Sequence, residues 1–171
     1  HIFDKGAEET RAKFSSTGLA VTGNITAPTN PAFNVGLSAI QSDIAIDGWV
    51  TVLFDTEIFD QGANFNTGTY TFTAPVTGKY QLNLTVRLEN VDTAAAYYQI
   101  TIKTSNKTYV FTIDPGALAS DPGYWAIPLS VLADMDASDT AYVRIFQSIG
   151  TAQTDVNADP GETIFSGYLA C

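Results

Sequence analysis

The stretch from Phe54 to Val86 constrains this chain most, above all the run Phe72-Thr73-Ala74-Pro75-Val76-Thr77-Gly78-Lys79-Tyr80 within it. It reads as strand, tight turn, strand. Side chains two apart share one face of a strand, so Tyr70 and Phe72 are expected to point the same way. Pro75 removes an amide donor and holds φ at about −65°, which ends the first strand. Gly78 is expected to take a positive φ and let the chain reverse. Beyond it, Tyr80, Leu82, Leu84 and Val86 alternate with Lys79, Gln81, Asn83 and Thr85, so one face is apolar and the other wet. A hairpin of this kind belongs in the middle of a two-layer β structure.

Similar runs recur from Ala32 onward at the spacing of a sandwich, and they predict strands over 33–41, 49–54, 69–74, 79–89, 96–103, 107–113, 124–131, 140–148 and 163–169. Tyr98, Ile100 and Ile102 alternate, as do Tyr109, Phe111 and Ile113. Tyr142, Arg144 and Phe146 share one face of their strand, with Val143 and Ile145 on the other. Ser105-Asn106-Lys107 reads as a hairpin turn. No segment keeps a helical period, and Asp134 to Asp139 offers one turn at most. The class is all-β.

Composition narrows the function. The 171 residues suit one domain with a short appendage, and a 45% apolar share against 15% charged is that of a folded chain. A net charge of −10 argues against nucleic acid, whose binding needs a basic surface, and disfavours anionic membranes. No apolar run approaches the ~20 residues that span a bilayer. His1-Ile2-Phe3-Asp4 lacks a charged and then apolar leader, and the absence of an initiating Met reads as a fragment or processed product. Cys171, the sole cysteine, cannot form an intrachain disulfide and reads as an inert terminal thiol.

Enzymatic chemistry finds little material. The only histidine is His1, so Ser-His-Asp and Cys-His mechanisms lack a positioned imidazole. There is no Cys/His cluster for zinc and no Gly-rich loop leading into a helix. A glycosidase-type carboxylate pair is the one option left, and eighteen acidic residues always supply some pair.

Phe59, Asn64, Phe65, Tyr70, Phe72, Pro75, Gly78 and Tyr80 occur in the order of the signature of the complement component 1q globular head, a family that shares a trimeric jelly roll with tumour necrosis factor. The chain resembles that family again at Val35-Gly36-Leu37-Ser38-Ala39, which is similar to its first strand, and at Thr163-Ile164-Phe165-Ser166-Gly167-Tyr168-Leu169, which is similar to its last. The resemblance implies a two-sheet antiparallel jelly-roll sandwich over residues 32–171 that assembles as a homotrimer and binds ligands without catalysis. It also implies Tyr80 and Phe165 near the threefold axis or the facing core.

Some members of that family hold calcium through two Asp residues bracketing one loop, and the match implies Asp114 and Asp121 as metal ligands here. Two prolines set this loop apart from the family's, and both residues also stand where Asp starts an Asp-Pro turn unaided. The oxygen-rich loop from Asp155 to Glu162 is a second place for such an ion. Tyr124 and Trp125 follow an Asp-Pro-Gly turn and Trp49 follows Asp47-Gly48. Aromatics at such tips serve sugar or protein recognition, or else cap the core at a strand start. Tyr124 and Trp125 are taken as the ligand-binding candidates. Three Asn-X-Thr sequons, at Asn24, Asn83 and Asn106, carry meaning only in a eukaryotic secretory path.

Residues 1–31 differ from the head. Charge is concentrated between Asp4 and Lys13, and Phe14-Ser15-Ser16-Thr17-Gly18-Leu19-Ala20-Val21-Thr22-Gly23-Asn24-Ile25 follows, broken by two Thr-Gly turns. Strands that short cannot make a core alone and fit a stem in which several chains intertwine, or a flexible arm. The phrase resembles segments joining modules of bacteriophage tail fibres. Together the two resemblances imply a receptor- or host-binding tip of a virion appendage, with a host surface protein or glycan as partner. A secreted domain of a cellular organism and a purely structural trimerisation cap are the alternatives.

Overall fold

The computed structural model describes residues 2–3, 10–16, 18–21 and 29–171. Near the N-terminus, β1 (Ile2–Phe3), β2 (Thr10–Ser15) and β3 (Gly18–Val21) form a small antiparallel sheet in that order. Its second turn closes at Gly18, whose φ of 131° a side chain would resist. The second expected Thr-Gly turn, at 22–23, lies outside the described residues.

The head begins with β4 (Ala32–Gly36), β5 (Trp49–Thr51), β6 (Thr56–Gln61), β7 (Phe65–Asn66) and β8 (Thr71–Thr73). It continues through β9 (Gly78–Glu89), β10 (Tyr97–Thr104), β11 (Thr108–Ile113), a 3-10 turn (Pro115–Ala117) and β12 (Tyr124–Met135). Last come β13 (Thr140–Ser148), β14 (Asp155–Val156) and β15 (Ile164–Leu169). The first sheet runs β12-β9-β15-β4-β6, with β14 also on β9. The second runs β11-β10-β13-β8-β7, with β5 also on β13. All these ladders are antiparallel.

The sheets face each other over one apolar core. Strict alternation fixes the inward set: Tyr80, Leu82, Leu84, Val86 and Leu88 from β9, and Ala141, Val143 and Ile145 from β13 are all buried. Aromatic rings fill one part of it. Phe33 stacks on Phe72 at 4.6 Å and meets the edge of Phe165 at 5.0 Å. Such pairs contribute about 0.5–1.5 kcal/mol each beyond the area they bury. Phe165 is therefore a core residue, and so is Tyr80, whose hydroxyl donates to the Val76 carbonyl at 2.8 Å.

The central stretch departs from the expected hairpin. β8 pairs with β7 and β13, whereas β9 pairs with β12, β14 and β15, so the connection through Pro75 crosses from one sheet to the other. Gly78 is not among the positive-φ residues. Its lack of a side chain serves packing instead, because a Cβ there would lie 2.5 Å from Leu169 Cδ1 and 2.7 Å from the Cys171 carbonyl oxygen. Tyr70 has a φ of 59° and sits in the turn before β8, off the strand it was assigned to. β12 also runs on to Met135, past the expected end at 131, because β9 offers it a partner along its full length and Lys79 pairs with Asp134 at 2.5 Å.

Candidate functional site

The register places one set of loops at the end of the sandwich opposite the entry of residues 29–31. Pro31 accepts a hydrogen bond from Leu169 N, and Leu169 pairs with Tyr80 near the start of β9. The loops that follow Glu89 lie at the other end of that strand, about 30 Å from Tyr80 at 3.3 Å per residue.

Asp92 ties these loops together. It is 2% exposed, and its carboxylate accepts the backbone N–H groups of Ala94 (2.8 Å), Thr151 (2.5 Å) and Ala152 (2.8 Å). Burial by itself would raise its pKa; the three N–H donors outweigh it and hold the carboxyl below the ordinary value of 3.8. Asp155 does a similar job one loop over, accepting from Asp43 N and Asn90 Nδ2.

The residues expected to hold a metal are engaged locally. Asp114 Oδ1 accepts from Gly116 N at 2.9 Å and caps the 3-10 turn. Asp121 Oδ1 accepts from Thr93 N at 2.8 Å and Thr93 Oγ1 at 2.5 Å, fastening its loop to the β9–β10 connection. Among the described residues no group of three or more His, Cys, Asp or Glu side chains converges as a metal would require. Calcium wants six to eight oxygens. These two carboxylates supply a small part of that set, and the fit is poor.

Tyr124 and Trp125 part company because neighbours on a strand face opposite ways. Trp125 packs half-buried against the core. Tyr124 stands 66% exposed with the Arg87 guanidinium 4.3 Å from its ring centroid. Arg87 is a member of this cluster that sequence reasoning passed over: Glu89 (2.9 Å), Asp159 (3.3 Å) and Glu162 all pair with it. Its position on the wet face of β9 was legible, as was Glu89 two residues on, but Asp159 and Glu162 come from a loop more than seventy residues away. Trp49, the other weighed aromatic, is 42% exposed on the second sheet.

The outer face of the first sheet has a different character. Its register sets out three rows of five: Thr56, Gly36, Ile164, Thr85, Pro128; then Phe59, Asn34, Ser166, Asn83, Ser130; then Gln61, Ala32, Tyr168, Gln81, Leu132. None is charged, in a chain of net charge −10. Gln81, Asn83 and Ser130 hydrogen-bond one another, while Leu132 and Tyr168 are 57% and 50% exposed. Asn34 Oδ1 is buried with no hydrogen-bond partner.

The C1q domain family model matches residues 32–170. Among solved structures, the globular domain of a zebrafish complement 1qA protein is similar over 83% of this chain and 98% of its own, at 15% identity and a TM-score of 0.58. Murine APRIL is similar over 82% of this chain and 98% of its own, at 12% identity and a TM-score of 0.59. No curated protein matches the sequence closely enough to count as a relative. The structural likenesses speak for the jelly-roll fold.

Proposed function

The chain belongs to the C1q domain family, and from that premise we propose that it is a non-enzymatic recognition head that works as a homotrimer. The observation that carries the trimer is the uncharged middle of the outer face of the first sheet, three rows between the Lys79–Asp134 pair and Arg87. Interface cores are depleted of charge, and exposed Leu132 and Tyr168 are groups that a second copy would cover. Three heads on one axis turn a weak individual contact into useful avidity. The loops gathered around Asp92, opposite the stem entry, are the surface presented outward, with Tyr124 as a contact.

The head is read as the host-binding tip of a virion appendage because the N-terminal phrase from Phe14 to Ile25 resembles tail-fibre segments and its described part forms short strands. A second reading, a secreted domain of a cellular organism, is favoured by the animal origin of the solved neighbours. Among the described residues no helix is long and apolar enough to cross a membrane.

Light scattering tests the assembly: a mass of about 55 kDa, three times the 18.3 kDa chain, is expected. Adsorption of the labelled protein to a panel of bacterial and animal cells tests recognition and separates the two readings. A clean monomer that adsorbs to neither would sink the proposal.

A further inference from the structure

The two sheets differ in charge as sharply as they agree in fold. None of the six strands of the second sheet contains an Asp or Glu. Among the described cations, Lys79 and Arg87 are paired with carboxylates. Lys103 on β10, Lys107 in the turn after it and Arg144 on β13 make no ion pair among the described residues. Among the described residues, the cations without an ion pair therefore lie on one sheet, in a chain whose net charge is −10.

Arg144 is set among aromatic rings. Its guanidinium carbon lies 4.5 Å from the Trp49 ring centroid and 5.9 Å from that of Tyr142. Trp49 is 5.2 Å from Phe146, and Phe146 stacks with Tyr97 at 6.0 Å. Cation–π stacking uses the flat face of a guanidinium and leaves the N–H donors on its edge available for a carboxylate. Arg144 Nε is buried with no hydrogen-bond partner, while the residue as a whole is half-buried.

The remaining outward side chains narrow the ligand. Gln99, Thr51 and Thr112 share this face with the rings, according to the register. Aromatic rings meet the C–H faces of sugars, hydroxyl and amide groups meet their hydroxyls, and an arginine edge meets a carboxylate. Aromatic rings and an arginine also suit a protein partner; Gln99, Thr51 and Thr112 beside them favour the hydroxyls of a sugar, and Val110 is the exposed aliphatic side chain on β11.

We propose that the outer face of the second sheet, centred on Trp49 and Arg144, binds an acidic glycan whose sugars carry carboxylates. This deepens the recognition-head reading and rests on it.

The test titrates the whole chain with oligogalacturonate, oligoalginate, hyaluronate fragments and sialyllactose, each beside its carboxyl-reduced form. At least one acidic probe is expected to bind, and carboxyl reduction is expected to abolish binding. Arg144→Gln and Trp49→Ala should each weaken it about tenfold or more, the scale of one charge-assisted contact. Lys103→Ala, on a half-buried strand position with no ion-pair partner to lose, should weaken it less while leaving the thermal midpoint nearly unchanged. Equal binding of the reduced forms, indifference to all three variants, tighter binding of oligothymidylate, or no binding by any acidic probe would each overturn the proposal. In those cases continued adsorption to cells would leave the recognition reading standing, whereas loss of adsorption as well would remove both.

Discussion

The rings of Phe72 and Tyr80 lie 5.5 Å apart although their strands belong to opposite sheets. The chain between them is the crossing that fixes the spacing of the two layers on that side. Phe72→Ala is expected to cost about 3–5 kcal/mol, the usual range for emptying a buried aromatic site. Tyr80→Phe keeps the ring and loses the bond to Val76, which is worth about 1 kcal/mol. Chemical denaturation of the two variants should separate them clearly.

Ser166 sits at the centre of the uncharged face, between Asn34 and Asn83. Ser166→Arg adds a long cation where three copies are proposed to meet, and desolvating it would cost several kcal/mol. The variant is expected to run as a monomer in light scattering while keeping its β-sheet circular dichroism. A trimer of unchanged mass would move the interface elsewhere.

Asp92 makes stability depend on pH. Its pKa is lower in the folded protein than the ordinary 3.8, so its contribution is fully present above that value. It is lost as the pH falls below 3.8 through the folded-state pKa. Asp92→Asn leaves backbone donors of the 149–152 loop poorly served and is expected to cost about 1–3 kcal/mol at pH 7. The gap between mutant and parent midpoints should shrink when both are melted near pH 3.

Gly167 passes under a ceiling. A Cβ there would sit 2.7 Å from Leu82 Cδ2, 2.8 Å from Phe33 Cε1 and 3.1 Å from the Gln81 carbonyl oxygen. Gly167→Ala is expected to lose about 1–3 kcal/mol through overpacking. Gly161→Ala meets no atom within 4 Å and is strained only by its φ of 86°, so its loss should be the smaller of the two.

Calcium chelation is expected to leave the thermal midpoint unchanged, since a ligand stabilises only by binding the native state and these carboxylates offer few donors. A drop of several degrees that Asp121→Asn abolishes would restore the metal at the Asp114–Asp121 loop.

Strand identity was largely legible because alternation is a local signal. β9, β10 and β13 follow it closely, and their inward residues are those the pattern selects. Three strands of the head were missed: β6, with most of its residues exposed, and β7 and β14, at two residues each, too short to carry a period. The sheet to which a strand belongs was not legible. Phe72-to-Tyr80 looks the same whether its strands pair together or cross the core, because that choice rests on partners such as Thr140 and Leu169 far along the chain. The candidate sites suffered likewise. Tyr124 was legible as an aromatic at a strand start, but Arg87 and Arg144 acquire their meaning largely from neighbours supplied by other strands.

The order β12-β9-β15-β4-β6 puts β15, the last of the head's strands in the chain, in the middle of its sheet. During synthesis, β4 and β9 leave the ribosome with facing edges and nothing between them. The sheet closes only when residues 164–169 arrive to join the two halves. Until then a nascent head carries two adhesive edges, and on a polysome neighbouring nascent chains come within reach of one another. Correct assembly therefore depends on β15 reaching its slot before a strand from another copy does.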